Sequence, residues 1–255
     1  MSSLNNFIKF KKGTIPLILS APHGGTLESE KLPIRRNGIL GIDKGTIELT
    51  KRLAKNIRKI LKKSRFKKKQ PSLIYSRVHR NRIDLNREEK EAFIIGSSLA
   101  NSIYNLYHKI IEENIMKNIK TFNSSLLIDI HGFETKSRPE GFRDVDLILG
   151  TNNLNSFFSE PIPKKFWRNT LRGKIIERFL DLGIPIAPGH PIRKEYILKG
   201  GYIVQKYGYS NIIKSRTMQI EFSERIRLSD KKLRKMVVEN LAEIIIDELI
   251  NDLSF

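Results

Sequence analysis

The chain alternates short apolar runs with longer segments whose apolar residues recur at helical spacing. Residues 14–20, 72–78 (SLIYSRV), 125–131, 145–149 (VDLIL) and 216–222 (RTMQIEF) read as strands, with a short strand expected near 184–187. Of these, 125–131 is the strongest buried strand. Residues 44–63 predict a helix with Ile47, Leu53, Ile57, Ile60 and Leu61 on one face and many lysines and arginines on the other. A long helix is predicted over 88–118, with Phe93, Leu99, Ile103, Leu106, Ile110 and Ile111 as its apolar stripe. Another is predicted over 165–182, and a short one begins within 202–208, limited by Gly208. Ser229 or Asp230 can cap a final helix that runs to about 252 and carries Met236, Val237, Leu241, Ile244, Ile245, Leu249 and Ile250. The proline- and glycine-bearing segment 188–201 predicts an irregular loop. No repeat or linker divides the chain. The alternation predicts one α/β domain over residues 1–255, with helices on both faces of a mostly parallel or mixed sheet.

At 255 residues the chain can bury a substantial core, so a self-standing enzyme is feasible. It has no cysteine, which excludes disulfides and thiolate metal sites; any metal must be held by His, Asp or Glu. The N-terminus lacks the long apolar core of a signal peptide, and no stretch approaches the roughly 18 apolar residues of a membrane span. The expectation is a cytoplasmic, soluble protein with no membrane partner. The net charge of +20 raises the question of an acidic partner such as nucleic acid. However, usage rich in Lys, Ile and Asn also follows from an AT-rich genome. The densest basic run, residues 62–70, reads as a solvated loop between a helix and a strand. Nucleic-acid binding on a degenerate hydrolase fold is therefore kept only as the lesser alternative.

The chemistry concentrates at strand ends. Two apolar runs, Leu17-Ile18-Leu19-Ser20-Ala21-Pro22-His23-Gly24-Gly25 and Leu126-Leu127-Ile128-Asp129-Ile130-His131-Gly132, each deliver an imidazole followed by glycine. Two neutral imidazoles meeting at a sheet edge point to a metal ion, most often zinc. Asp129 shares a strand face with His131 and suits an orienting carboxylate. Candidates for a third ligand are Asp43, Glu28 and Glu30; Asp43 stands just before a helix and reads equally as its N-cap. Residues 77–87 (RVHRNRIDLNR) form a basic cluster between strand and helix, where Arg87 and Asn86 suit a carboxylate of a small anionic ligand. Gln219 and Glu221 share a face of a late strand, and a glutamate beside a metal-bound water becomes a general base.

The order His-Gly, Asp-Leu-Asn-Arg, Asp-Ile-His-Gly and Gln-Ile-Glu resembles the N-formylglutamate amidohydrolase family and, more distantly, the aspartoacylase and zinc carboxypeptidase group. The resemblance spans Pro22 to Arg227 and includes Asp43-Lys44-Gly45-Thr46, Leu149-Gly150-Thr151 and Lys199-Gly200-Gly201-Tyr202-Ile203. It implies a three-layer α/β/α, zinc-carboxypeptidase-like (phosphorylase/hydrolase-like) fold with a mixed central sheet. It implies a zinc-dependent hydrolase of a small anionic N-acyl amino acid, with His23 and His131 as ligands of one zinc per chain. Zinc carboxypeptidases carry His-x-x-Glu, but Thr26 stands at that glutamate's position here, so the resemblance favours Asp43 over Glu28. It further implies Glu221 as acid/base and Arg80 or Arg82 at the oxyanion. Asn86 and Arg87 would clamp the substrate carboxylate with Arg143 in reserve, and Gly200-Gly201 would form a wall beside the substrate.

Overall fold

A computed structural model describes residues 4–64, 66–135, 144–196 and 198–250. Seven strands form one mixed sheet: β1 (Ile8–Lys11), β2 (Leu17–Ala21), β3 (Ser72–Ser76), β4 (Ser125–Phe133), β5 (Leu147–Gly150), β6 (Ile186–Ala187) and β7 (Ser215–Ser223). Their order is β1-β3-β2-β4-β7-β5-β6. The central pairs β3–β2, β2–β4 and β4–β7 are parallel, as is β5–β6, whereas β1–β3 and β7–β5 are antiparallel. The central strands are apolar on both faces because helices cover both.

Alternation along the strands divides the core. Leu17, Leu19, Leu126, Ile128, Ile130, Met218, Ile220 and Phe222 pack with α1 (Thr46–Lys62), α4 (Leu171–Asp181) and α6 (Lys231–Leu249). Ile18, Ile74 and Leu127 point the other way and pack with α3 (Ser98–Phe122) and α5 (Tyr202–Tyr207). The result is the expected three-layer α/β/α arrangement. Asp129, His131, Gln219 and Glu221 alternate with the first set and so lie on the second face, at the carboxyl ends of β4 and β7. The chain leaves β2 toward β3 on one side while β4 flanks it on the other. This reversal is where open α/β sheets hold ligands.

Four expectations need correction. β1 was not expected: it is an edge strand whose lysines face outward, so only Ile8 is deeply buried and the apolar signal is weak. The helix predicted over 88–118 is two: α2 (Glu89–Ala92), then a break at Phe93, and α3, which runs on to Phe122. Gly96 adopts φ 93° within the break, and the Ser97 side chain accepts from Ala100 N to start α3. The stripe of α3 is also rotated from the expected one, burying Tyr104, Tyr107, His108 and Ile115 along with Ile103 and Ile111. The segment expected as a helix from 165 begins as a 3-10 turn, Lys164–Asn169, and Thr170 caps α4. The final helix is capped by Asp230, which accepts from Leu233 N. Among the described residues, no helix is long and apolar enough to cross a membrane.

Candidate active site

His23 stands two residues past β2 and His131 lies near the end of β4, the adjacent parallel strand. Both side chains are buried, and their rings approach edge to face with centroids 4.8 Å apart. Asp43 reaches the pair from the segment before α1. It is not that helix's cap: Gly45 occupies the N-cap with φ 86°, and no side chain caps it. The Asp43 carboxylate instead turns inward. Its Oδ2 stands 3.2 Å from His131 Nδ1 and 3.5 Å from His23 Nδ1, and accepts from Gly132 N at 3.2 Å. Glu28 and Glu30 are not brought to this point. Both are exposed, and Glu28 faces His79 and Arg82.

The far side of each ring is held by a carboxylate. Asp84 Oδ1 is 2.6 Å from His23 Nε2, and Asp129 Oδ2 is 2.6 Å from His131 Nε2. An Nε2–H donated to each carboxylate leaves both Nδ1 atoms as acceptors turned toward Asp43. Among the described residues, His23 Nδ1 has no hydrogen-bond partner. An acceptor buried without a donor fits a site for a cation. Zinc bonds of about 2.0–2.1 Å would set neighbouring tetrahedral donors about 3.3 Å apart, close to the two Nδ1–Oδ2 separations. The three donor atoms all lie within 4.8 Å of one another. Orienting carboxylates behind metal-binding histidines complete the pattern. The residues present therefore fit a metal ion.

Electrostatics agree. Burial works to raise Asp43, but the adjacent His131 and His23 imidazoles hold it far below the usual carboxylate range. Burial likewise opposes an ionised Asp84, and is outweighed by His23, Arg80 and Arg35. Burial disfavours a charged His131, yet Asp129, Asp43 and Glu221 push its imidazole well above its ordinary value. Four carboxylates around two imidazoles make a corner that attracts positive charge, which a proton or a metal can supply.

A cavity of ≈ 890 Å³ opens above this corner. Asp43, Arg80, Asn86, Arg87, His131, Gly200, Gly201, Gln219 and Glu221 all line it. Strand register accounts for part of this: His131 pairs with Glu221, and Glu221 pairs with Ile148. The Glu221 carboxyl is half-buried. Burial raises it, assisted by Asp43 and opposed by His131, and Gln219 Nε2 donates to its Oε1 at 2.7 Å. Arg80 Nε donates to Asp84 Oδ2 at 2.9 Å, and its Nη1 lies 3.5 Å from Asp43 Oδ1. Arg87 is more exposed and points into the cavity. Asn86 is largely committed: its Oδ1 accepts from Ile203 N at 2.8 Å and its Nδ2 donates to Gln219 Oε1 at 3.3 Å. Gly201 donates to the same Gln219 oxygen and lies against Asn86 so closely that a Cβ would collide with the amide. These two contacts tie the 200–201 segment to Gln219 and Asn86 at the cavity wall.

Arg82 is not brought to the cavity. It donates to Leu32 O at 2.5 Å and faces Glu28, because it sits on the opposite side of the 79–84 turn from Arg80. Arg143 lies outside the described residues. Asp84 is the residue that sequence reasoning missed. It stood unremarked within the Asp-Leu-Asn-Arg motif, where its spacing of two from Asn86 was the available signal; Asn86 N donates to Asp84 Oδ1 at 3.0 Å.

No protein-family model and no curated protein sequence matches the chain. Among solved structures, the chain is similar to N-formylglutamate amidohydrolase from Ralstonia eutropha JMP134, with a TM-score of 0.63 and 14% identity over 96% of this chain and 98% of that one. It is also similar to a gene product of Agrobacterium tumefaciens, with a TM-score of 0.59 and 12% identity over 100% of this chain and 97% of that one. The whole chain thus has the fold of an N-formylglutamate amidohydrolase structure, the architecture that its motifs resemble.

Proposed function

We propose that the chain is a metal-dependent amidohydrolase cleaving the amide of a small N-acyl amino acid, with N-formylglutamate, giving formate and glutamate, as the first candidate substrate. One observation carries this: His23, Asp43 and His131 converge at one corner, and Asp43 and His131 form the floor of a cavity walled by Glu221. Zinc is the proposed ion, one per chain, held by His23 Nδ1, His131 Nδ1 and Asp43 Oδ2; another divalent ion suited to N/O ligands would serve. Such an ion supplies Lewis acidity for water activation and carbonyl polarisation near neutral pH.

The chain's own groups do the rest. Asp84 and Asp129 fix the tautomer and orientation of the two rings. Glu221, raised by burial and steadied by Gln219, accepts a proton from the attacking water and returns it to the departing amine. Arg80, pinned by Asp84 and Asp43, keeps a guanidinium at the cavity wall for the developing oxyanion. Arg87 offers its fork to the substrate carboxylate, with Asn86 beside it at the cavity wall. We further propose that the enzyme acts in the cytoplasm as one domain.

A second substrate reading has a specific observation behind it. The cavity is large for N-formylglutamate, and Ile39, Ile42, Phe133, Ile148 and Leu198 form an apolar arc on its wall. This favours a bulkier N-acyl group or a peptide terminus. The test is metal analysis after purification without chelator, followed by activity on a panel of formyl, acetyl and longer-chain N-acyl amino acids. We expect chelator-sensitive hydrolysis of at least one member, and loss of metal in His23→Ala. A metal-replete protein that hydrolyses no member would overturn the proposal.

A further inference from the structure

On the sheet face away from the cavity, α1 and α6 pack side by side. Between them runs a groove of ≈ 680 Å³ that shares no residue with the cavity. Lys55, Arg58, Lys59 and Lys62 of α1 and Lys231, Arg234 and Lys235 of α6 line it, and among the described residues no carboxylate does. Among the described residues, none of these seven forms an ion pair; Arg52, at one end of the groove, pairs with Glu48. The neighbouring contacts of the same helix layer are built the other way. There Lys174 meets Glu248, and Arg178 meets Glu243.

This clustering opposes ordinary helix chemistry. Lys55 and Lys59, Arg58 and Lys62, and Lys231 and Lys235 are like-charge pairs at four-residue spacing, which repel. The first turn of α6 after its capping Asp230 holds cations and no acid, although a helix N-terminus favours anions. Repulsion within a concave surface is relieved when an anion fills it.

We propose that the α1–α6 groove binds the phosphate backbone of a nucleic acid. Among the described residues, no aromatic side chain lines the groove and Asn56 is its only uncharged polar group, so it contacts phosphates rather than reading bases. Among the described residues, none of the large exposed apolar side chains lines it, and Val238, the one apolar lining residue, is buried, so it offers nothing to insert into a bilayer. Binding is therefore independent of sequence and steeply salt-dependent, with affinity falling as counterions cease to be released.

The test is fluorescence anisotropy with a short labelled DNA duplex of random sequence, on the full chain, between about 50 and 200 mM salt. The groove variant is Lys55→Glu/Lys59→Glu/Lys235→Glu. The control is Lys31→Glu/Lys120→Glu/Lys164→Glu, three exposed lysines elsewhere with the same change in net charge. Circular dichroism and melting check that both fold. We expect the groove variant to bind at least ~10-fold more weakly, and its salt slope to fall by about three, while the control stays near the parent. Failure of the parent to bind, equal binding by the groove variant, or equal weakening by the control would each overturn the proposal. So would tighter groove-dependent binding to phosphatidylserine vesicles than to the duplex, which would assign the surface to a membrane.

Discussion

Replacing Asp84 by asparagine removes one charge and changes almost no volume, yet the structure leaves the amide no satisfactory orientation. Asp84 is fully buried. One oxygen accepts from His23 Nε2 and Asn86 N, and the other accepts from Arg80 Nε, with Arg35 and Arg87 nearby. With its oxygen toward His23, the asparagine would aim an NH2 at Arg80, donor against donor. Flipped, it would give His23 Nε2 a donor and force that ring's proton onto Nδ1, the atom turned toward Asp43. Breaking a buried charge pair costs about 3–5 kcal/mol, and for a protein of this size each kcal/mol moves Tm by ~2–4 °C. Asp84→Asn should therefore lower Tm by roughly 6–20 °C in chelator-treated protein, where no bound metal contributes. Metal affinity should also fall ~10–100-fold. The pH dependence separates lost charge from lost packing. Because the folded Asp84 is held far below its unfolded value, its stabilisation is fully present above that unfolded value, near pH 4, and is lost as the pH falls below it. The gap between parent and variant melts should be constant at neutral pH and narrow in acid. Calorimetry at a series of pH values reads both quantities. A Tm within 2 °C of the parent at about pH 7, or a gap that does not narrow in acid, would refute the account of Asp84 as a buried anchor of His23 and Arg80.

Three further substitutions test other parts of the structure. Glu221→Gln should fold, keep its metal and bind substrate, while turnover falls by about 10²–10⁴; near-native turnover would remove Glu221 as the base. Arg87→Lys keeps the charge but loses the bidentate fork, so KM for an acidic substrate should rise with metal content unchanged, as steady-state kinetics and metal analysis would show. Arg172 is fully buried, and its Nη1 donates to Glu195 Oε1 at 3.0 Å while Glu195 also binds Thr151 and Asn153. Arg172→Met strands that carboxylate and should cost about 3–5 kcal/mol in denaturant unfolding; a loss below about 1 kcal/mol would refute the buried pair as an anchor of the 151–153 and 191–195 segments.

Periodicity along the chain was sufficient for the layered architecture, because strands buried on both faces are almost purely apolar and helices that cover a sheet must be amphipathic. It also drew attention to His23 and His131, each closing an apolar run just before glycine, whereas Glu221 gained its expected role only through the family resemblance. Elements near the surface were less legible. β1 hides behind its lysines, and the break before α3 depends on Gly96 and Ser97 in a stretch that keeps helical spacing. The partners of each polar group were decided only in three dimensions. Asp43 could be a cap or a ligand by spacing alone; it is the inward turn of its carboxylate, toward residues 20 and 88 positions away, that excludes the cap. Asp84 carried no signal of its own, because what it does depends on β2 and β3 lying side by side. The cationic groove likewise exists only because α1 and α6, far apart along the chain, bring their basic faces together. Local sequence dictates which face of an element is buried; which charges then meet is a property of the packing.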